Sequence, residues 1–232
     1  MGHKKLIRFR AIEGFRNVLQ YPKHMPGNWH EFFKNNHPIT LELACGKGEY
    51  SVNLGREHRD RNFVGVDIKG NRIYNGAKIA IQEGLENVAF VRGQIDHLNE
   101  YFAENEVSDL WIVFSDPFLK KPKNRLTHPR FLKLYQQVMK EGGVIKLKTD
   151  SRELYDFTHE VIAEQSCSIV EDIQDIYGKG KATGALAIQT FYEKMHLAEG
   201  RTIYYLAFTL PAHPIVVPER RKNEAEEDAA AE

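Results

Sequence analysis

Short apolar runs alternate with amphipathic stretches along most of this chain, beginning at residue 39. This alternation is typical of a mostly parallel β-sheet with helices on both faces. The apolar runs predict strands at 39–43, 62–67, 88–91, 109–114 and 143–148. Helical periodicity between them predicts helices that begin near residue 49, at 71–83 and at 153–165. The run at 109–114 is the most continuous, so we expect a central strand buried on both faces.

The pattern changes after residue 165. Two strand-like segments, 168–176 and 202–208, flank a glycine-containing stretch at 178–184, which predicts a C-terminal antiparallel pair. These elements together predict an α/β fold with a Rossmann-like, mostly parallel sheet of about seven strands. The predicted organisation is a basic N-terminal extension at 1–38, a sheet domain at 39–212 and a charged, disordered tail at 213–232.

Composition places the chain among ordinary globular proteins, because 42% of its residues are hydrophobic and 28% are charged. Two cysteines, Cys45 and Cys167, are too few for a disulfide framework or a four-cysteine zinc site. No apolar run approaches the roughly 20 residues of a membrane span, and no secretory signal is visible. We therefore expect a cytoplasmic protein, with no metal and no membrane partner, that is a monomer or a homodimer.

The formal net charge of zero hides an uneven distribution. Residues 222–232 carry one lysine and five acidic residues, so the remaining chain has an excess of four positive charges. No acid occurs between 117 and 140, where the basic residues are Lys120, Lys121, Lys123, Arg125, Arg130, Lys133 and Lys140. A second basic cluster opens the chain and comprises Lys4, Lys5, Arg8, Arg10 and Arg16. Each cluster fits either an RNA-phosphate surface or an ordinary solvated surface.

A glycine turn follows the first predicted strand, in the segment 42–49. Gly46 and Gly48 allow the backbone to turn sharply and to approach a ligand closely, and the next helix offers free N–H groups. Asp67 ends the second predicted strand, where a carboxylate can accept hydrogen bonds from ribose hydroxyls. This combination predicts a binding site for a nucleoside-containing cofactor.

The residues around the turn favour S-adenosylmethionine over NAD. A dinucleotide site needs a third glycine at the position of Ser51. Glu42 and Glu49 would repel a pyrophosphate, whereas they suit a ligand with a sulfonium and an ammonium group. An NAD(P)-dependent oxidoreductase remains an alternative.

A second motif, Phe114-Ser115-Asp116-Pro117-Phe118, follows the fourth predicted strand. Ligands of open α/β sheets bind beyond the carboxyl ends of the strands, so Asp116 is expected to face the cofactor pocket. Phe118 offers a surface on which a base can stack. In the alternative interpretation Asp116 only caps its loop. Asp150, after the fifth strand, has an alternative interpretation as the N-cap of the following helix. Tyr192 has an alternative interpretation as a packing residue.

The chain resembles the bacterial tRNA (guanine-N7-)-methyltransferases, which are class I S-adenosylmethionine-dependent enzymes with a Rossmann-like methyltransferase fold. The resemblance extends from about residue 21 to residue 210. It rests on the segments Gly27-Asn28-Trp29, 41–48, Phe114-Ser115-Asp116-Pro117, 147–150 and 189–193.

This resemblance implies roles for individual residues. It implies contacts to S-adenosylmethionine from Glu42, Asp67 and Gln94, and an active-site role beside the cofactor for Asp116. The implied substrate-binding residues are Lys120, Asp150, Thr190, Phe191, Tyr192 and Glu193. Three features depart from the family pattern: Gln94 replaces an aspartate, Phe118 replaces a tryptophan, and Pro122 interrupts a shortened basic run.

The implied reaction is methyl transfer from S-adenosylmethionine to N7 of guanosine 46 in the tRNA variable loop, which gives 7-methylguanosine. Guanine N7 has a lone pair and no proton. Asp116 is therefore expected to orient the guanine and stabilise its developing positive charge, not to remove a proton. The alternatives are a methyltransferase for another RNA base or a small molecule, and a non-catalytic RNA-binding protein.

Overall fold

The protein is built around one β-sheet, and its structure is a computed structural model that describes residues 2–218. Within that range the strands are β1 Val18–Gln20, β2 Ile39–Leu43, β3 Asn62–Asp67, β4 Val88–Arg92, β5 Val107–Val113, β6 Met139–Thr149, β7 Ser168–Ile173 and β8 Tyr204–Thr209. The α-helices in the same range are α1 Gly2–Ala11, α2 Trp29–Phe33, α3 Glu49–Glu57, α4 Gly70–Gln82, α5 Pro129–Val138, α6 Arg152–Glu164 and α7 Phe191–Ala198.

The eight described strands lie in the order β1-β4-β3-β2-β5-β6-β8-β7. Strands β1 to β6 pair in parallel, whereas β8 pairs antiparallel to both β6 and β7. The predicted α/β class, parallel sheet and C-terminal antiparallel pair are confirmed. Because the strands are parallel, the carboxyl ends of β4, β3, β2, β5 and β6 lie along one edge of the sheet.

Described residues from the predicted extension and from the first part of the predicted tail pack against the rest of the fold. Strand β1 lies in the segment predicted as an extension, and it adds an eighth strand beside β4. Trp29, in the same segment, is fully buried. At the other end Ile215 is buried, and Gln165 exchanges two hydrogen bonds with the backbone of Val216. The rest of the predicted tail, 219–232, lies outside the described residues.

Two apolar layers cover the faces of the sheet. One contains Leu41, Val64 and Ile112 with residues of α5 and α6, and the other contains Phe90 and Trp111 with residues of α3 and α4. Strand β5 contributes to both layers, as its continuous apolar run predicts. No helix between residues 2 and 218 is long and apolar enough to cross a membrane.

Candidate active site

A cleft of about 1000 Å3 lies along the sheet edge formed by the carboxyl ends of the parallel strands. Five residues for which the resemblance implies a role line it, namely Asp67, Gln94, Asp116, Asp150 and Tyr192. The strand order separates them. Asp67 is the last residue of β3 and Gln94 follows β4, whereas Asp116 follows β5 and Asp150 follows β6. We call these two ends the β3–β4 half and the β5–β6 half of the cleft.

The backbone that lines the cleft is strained at three points. Ala44, Phe114 and Phe118 have φ angles of 52°, 48° and 40°, in the left-handed region that side chains disfavour. All three line the cleft. Backbone strain of this kind is concentrated at functional sites, because it persists only where the surrounding structure holds it.

The glycine turn is tied to the end of β3 by Asp67. One carboxylate oxygen of Asp67 accepts a hydrogen bond from the Gly46 N–H at 2.9 Å, and the other accepts one from the Lys69 N–H at 2.7 Å. Gly46 and Gly48 both have positive φ, 54° and 68°. Asp67 therefore serves the turn and also lines the cleft, whereas Gly46 and Gly48 shape the turn without being part of the cleft lining.

Glu42 is buried beneath the turn and does not belong to the cleft lining. Its carboxylate accepts hydrogen bonds from the Ser51 N–H at 2.7 Å and the Ser51 hydroxyl at 2.6 Å. Burial raises the pKa of Glu42 to about 7, although the two bonds from Ser51 oppose the shift. In this structure Glu42 holds the first turn of α3, and any contact with a cofactor stays a prediction.

Asp116 is exposed and lines the β5–β6 half of the cleft. One carboxylate oxygen accepts a hydrogen bond from the Phe118 N–H at 2.9 Å, which fixes the loop after β5. The neighbouring Ser115 hydroxyl is buried and has no hydrogen-bond partner among the described residues. Asp116 thus caps its loop and also faces the cleft, so the two interpretations of this residue are compatible.

The basic segment after Asp116 is divided between surface and interior. Lys120 and Lys121 are exposed outside the cleft lining. Arg125, by contrast, is buried, with its Nε donating to the Pro117 carbonyl at 2.8 Å and its guanidinium 4.6 Å from the Phe157 ring centre. Arg125 therefore supports the loop and does not belong to the basic surface.

Asp150 belongs to a charged cluster at the β5–β6 half. Ser151, not Asp150, is the N-cap of α6. Asp150 accepts a hydrogen bond from Arg201 at 2.7 Å, and His196 Nδ1 lies 3.6 Å from the same carboxylate oxygen. His196 and Arg201 both line the cleft. Sequence reasoning missed them, because neither stands in a recognisable motif and only the pairing of β6 with β8 brings them to Asp150.

The segment 190–193 forms the start of α7. Thr190 is the N-cap, and its hydroxyl accepts a hydrogen bond from the Glu193 N–H at 3.1 Å. The Phe191 N–H donates to the carboxylate of Glu49 at 3.1 Å, and Lys47 Nζ lies 3.8 Å from the Phe191 ring centre. Of the four implied substrate-binding residues here, the structure brings only Tyr192 into the cleft lining.

Glu193 is fully buried and pairs with a buried lysine of β6. Lys148 Nζ lies 2.6 Å from its carboxylate, and the Tyr177 hydroxyl donates to the same oxygen at 2.7 Å. Lys148 also donates to the carbonyl oxygens of Leu186 and Ile188 at 2.9 and 3.1 Å. Burial lowers the pKa of Lys148, and the Glu193 carboxylate opposes this. The only sequence signal was a strand in which lysines alternate with apolar residues.

The family model and the known proteins that match this chain are methyltransferases. A family model described as "Putative methyltransferase" matches residues 36–206. A tRNA (guanine-N(7)-)-methyltransferase from Porphyromonas gingivalis is 46% identical over 211 residues, which cover 86% of this chain and 86% of that protein. Another from Christiangramia forsetii is 45% identical over 90% of this chain and 100% of its own length.

Solved structures share the fold. The 16S rRNA methyltransferase KamB has a TM-score of 0.62 at 13% identity, covering 80% of this chain and 94% of its own. A 16S rRNA (adenine(1408)-N(1))-methyltransferase from Catenulisporales acidiphilia, solved with S-adenosylmethionine, has a TM-score of 0.56 at 14% identity over 82% of this chain and 94% of that one. At such low identity the likeness concerns the fold alone, and it confirms the Rossmann-like methyltransferase architecture.

Proposed function

This chain belongs to the tRNA (guanine-N(7)-)-methyltransferase family, and on that premise we propose that it methylates N7 of guanosine 46 in tRNA, using S-adenosylmethionine. The observation that supports this best is the position of Asp116. Asp116 follows β5, which lies between β3 and β6 in the sheet, so along the cleft it has Asp67 and Gln94 on one side and Asp150 on the other.

The β3–β4 half has groups that suit S-adenosylmethionine. The Asp67 carboxylate lies where ribose hydroxyls are bound in this fold class. The Gln94 side-chain amide can both donate to and accept from an adenine edge. In the β5–β6 half, the Ser115 hydroxyl, buried without a partner among the described residues, can bond to a polar ligand. When bound, the cofactor supplies an electrophilic methyl group on a sulfonium.

The chain's own task is to hold guanine in line with that methyl group, which removes translational and rotational freedom before reaction. N7 carries no proton, so no general base is needed. The Asp116 carboxylate keeps one oxygen beyond its bond to Phe118 N–H, and this oxygen can accept a guanine N–H. Its negative charge also stabilises the positive charge that develops on the methylated base.

The proposal is tested with labelled S-adenosylmethionine and unmodified tRNA, followed by mapping of the methylated nucleoside. We expect 7-methylguanosine at position 46 and no product from tRNA with adenosine at that position. Asp116→Ala should lower the single-turnover rate roughly a hundred- to a thousandfold and change cofactor affinity much less, by analogy with the loss of one preorganised electrostatic group.

Asp116→Asn separates charge from hydrogen bonding. The amide oxygen retains an acceptor but not the negative charge, so its rate should lie between those of wild type and Asp116→Ala. Full activity of Asp116→Asn would contradict charge stabilisation by this residue. Methylation of another base or of a small molecule would contradict the proposed function itself.

A further inference from the structure

Helix α1 is fixed against the body of the protein. Ile12, just after the helix, is fully buried. The Arg92 guanidinium lies 4.4 Å from the ring centre of Phe9 in α1 and 5.1 Å from that of Tyr21. A Cβ at Gly70, the first residue of α4, would lie 2.6 Å from Ile12 Cδ1 and 3.3 Å from Phe9 Cδ2, so α1 packs closely on α4. Because α4 begins where β3 ends, this contact places α1 beside the β3–β4 half of the cleft.

The two helices present positive charge on the same side of the cleft. Lys5, Arg8 and Arg10 are exposed on α1. Lys69 and Arg72, around the start of α4, line the cleft. The α1 sequence and the segment 68–82 contain no acidic residue. We call these five cations the α1–α4 surface.

The five cations of the α1–α4 surface differ in their ion pairing from several arginines elsewhere in the protein. Arg56 pairs with Glu83, Arg152 with Asp156 and Arg201 with Asp150, at 2.6 to 2.7 Å. Among residues 2–218, no carboxylate forms an ion pair with any of the five cations on this surface. A group of neighbouring, uncompensated cations repel one another and create a positive potential that attracts an anionic ligand.

We propose that the α1–α4 surface binds backbone phosphates of the tRNA, on the opposite side of the cleft from Lys120 and Lys121. This inference rests on the proposed function, because it takes tRNA as the substrate. Phosphate contacts position a nucleic acid without reading its sequence. With one basic surface beside each half, the RNA spans the cleft, and the target nucleotide is held over Asp116.

A basic helix can also bind an anionic membrane, and Leu6 and Ile7 are about half exposed. The arrangement favours RNA, because Phe9 and Ile12 face the protein and two of the cations line the cleft itself. A membrane-binding helix would need its larger apolar side chains free to enter the lipid.

The test compares two double variants that each remove two positive charges. Lys5→Gln/Arg10→Gln changes the α1–α4 surface. Arg59→Gln/Lys140→Gln is the matched control, since Arg59 precedes β3 and Lys140 lies at the start of β6, at the opposite edge of the sheet. All four side chains are exposed, so the fold should survive, which thermal unfolding checks. Binding of unmodified tRNA is measured over a range of salt concentrations.

We expect Lys5→Gln/Arg10→Gln to reduce the slope of log affinity against log salt by about two, and to weaken tRNA binding at least roughly tenfold at 0.1 M salt. The control should retain the wild-type slope, and both variants should bind S-adenosylmethionine normally. An unchanged slope in Lys5→Gln/Arg10→Gln would overturn the proposal. The proposal would also be overturned if the Lys5→Gln/Arg10→Gln variant bound tRNA like wild type but no longer bound phosphatidylserine vesicles. The α1–α4 surface would then be a membrane-binding surface.

The two proposals can fail separately. If wild-type protein binds tRNA, the Lys5→Gln/Arg10→Gln variant shows the expected reduced slope and no 7-methylguanosine is produced, the proposed function is wrong and the α1–α4 surface is supported as an RNA-binding surface. If wild-type protein methylates tRNA while the Lys5→Gln/Arg10→Gln variant has the wild-type salt slope and methylation rate, the proposed RNA-binding surface is wrong and the proposed function is supported.

Discussion

The buried pair of Lys148 and Glu193 joins the end of β6 to the first turn of α7. Neither side chain has any exposed surface. Tyr177 completes the contact through a hydrogen bond to Glu193, and burial raises the pKa of its hydroxyl to about 12. Since Tyr192 and His196 line the cleft from α7, the pair determines where that wall of the cleft lies.

Removing one member of this pair should be costly. Lys148→Met leaves the Glu193 carboxylate buried without its cation, so we expect a loss of about 3–5 kcal/mol in the free energy of unfolding. In Lys148→Met/Glu193→Leu both charges are replaced by apolar groups, and most of that stability should return. Urea unfolding of the wild type, the single variant and the double variant measures this.

The same double variant tests how Glu193 acts. Because Glu193 is enclosed away from the cleft lining, we expect the stable double variant to retain most of its methylation rate. A double variant that is as stable as wild type but inactive would instead show that the reaction needs Glu193 for more than stability.

Glu42 should make stability depend on pH. Its pKa is about 7 in the folded protein and near 4.5 as an ordinary carboxyl, so the folded state holds the proton more tightly. The contribution of Glu42 to stability is therefore largest below about pH 4.5 and falls by about 3 kcal/mol as pH rises from about 4.5 through 7. Glu42→Gln should remove this decrease, whereas Glu57→Gln, exposed at the other end of α3, should retain it.

Urea unfolding between pH 5 and pH 8 measures the effect. Parallel curves of stability against pH for wild type and Glu42→Gln would contradict a raised pKa at this position.

At the scale of elements, the turn between β2 and α3 depends on one glycine for two reasons. Gly48 has φ of 68°, and a Cβ there would lie 2.3 Å from Cε1 of the fully buried Phe90 ring. An alanine is thus opposed by backbone strain and by overlap with the core. The close approach lets α3 begin directly over β4, which holds the turn at the edge of the sheet.

Gly48→Ala should lower the free energy of unfolding by about 2–4 kcal/mol, through strain and overpacking together. It should also weaken S-adenosylmethionine binding, because the turn is displaced. Gly84→Ala is the matched control, since Gly84 has φ of 63° with open space around it, and it should cost only about 1–2 kcal/mol. Calorimetry and thermal unfolding measure both effects, and equal losses in the two variants would exclude the overlap with Phe90.

For the whole molecule, the N-terminal segment is part of the core. Trp29 stacks on Phe102 with ring centres 5.0 Å apart, and its indole N–H donates to the Tyr101 carbonyl at 2.9 Å. These contacts connect α2 to the chain between β4 and β5. The segment before residue 39 therefore supports the sheet and does not form a separate unit.

Trp29→Ala should cost about 3–5 kcal/mol in the free energy of unfolding, because it removes a large buried ring and leaves a cavity. Leu6→Ala, half exposed in the same N-terminal segment, should cost about 0.5 kcal/mol. Urea unfolding of both variants tests this, and a small effect of Trp29→Ala would show that the segment is dispensable.

The sequence by itself determined seven of the eight described strands and the helices α3, α4 and α6, because local spacing of apolar residues indicates them; α1, α2, α5 and α7 were not predicted. The predicted strands at 39–43 and 62–67 coincide with β2 and β3, and the helix predicted at 153–165 lies within one residue of α6. The three-residue strand β1 was missed because so short a segment has no periodicity to detect. The motifs also indicated the correct family, and three of them, at 41–48, 114–117 and 147–150, stand at strand ends that local pattern defines.

Only the tertiary structure decided which side chains reach the cleft. Glu42 and Glu193 are acids in motifs, yet both turn inward to Ser51 and Lys148. Arg125 belongs to a basic run but is enclosed beneath its loop, and Arg201 stands in no motif but meets Asp150. Each outcome depends on a contact with a different element of the fold. Strand order and packing set such contacts, and a local pattern contains no information about the partner that a side chain will meet.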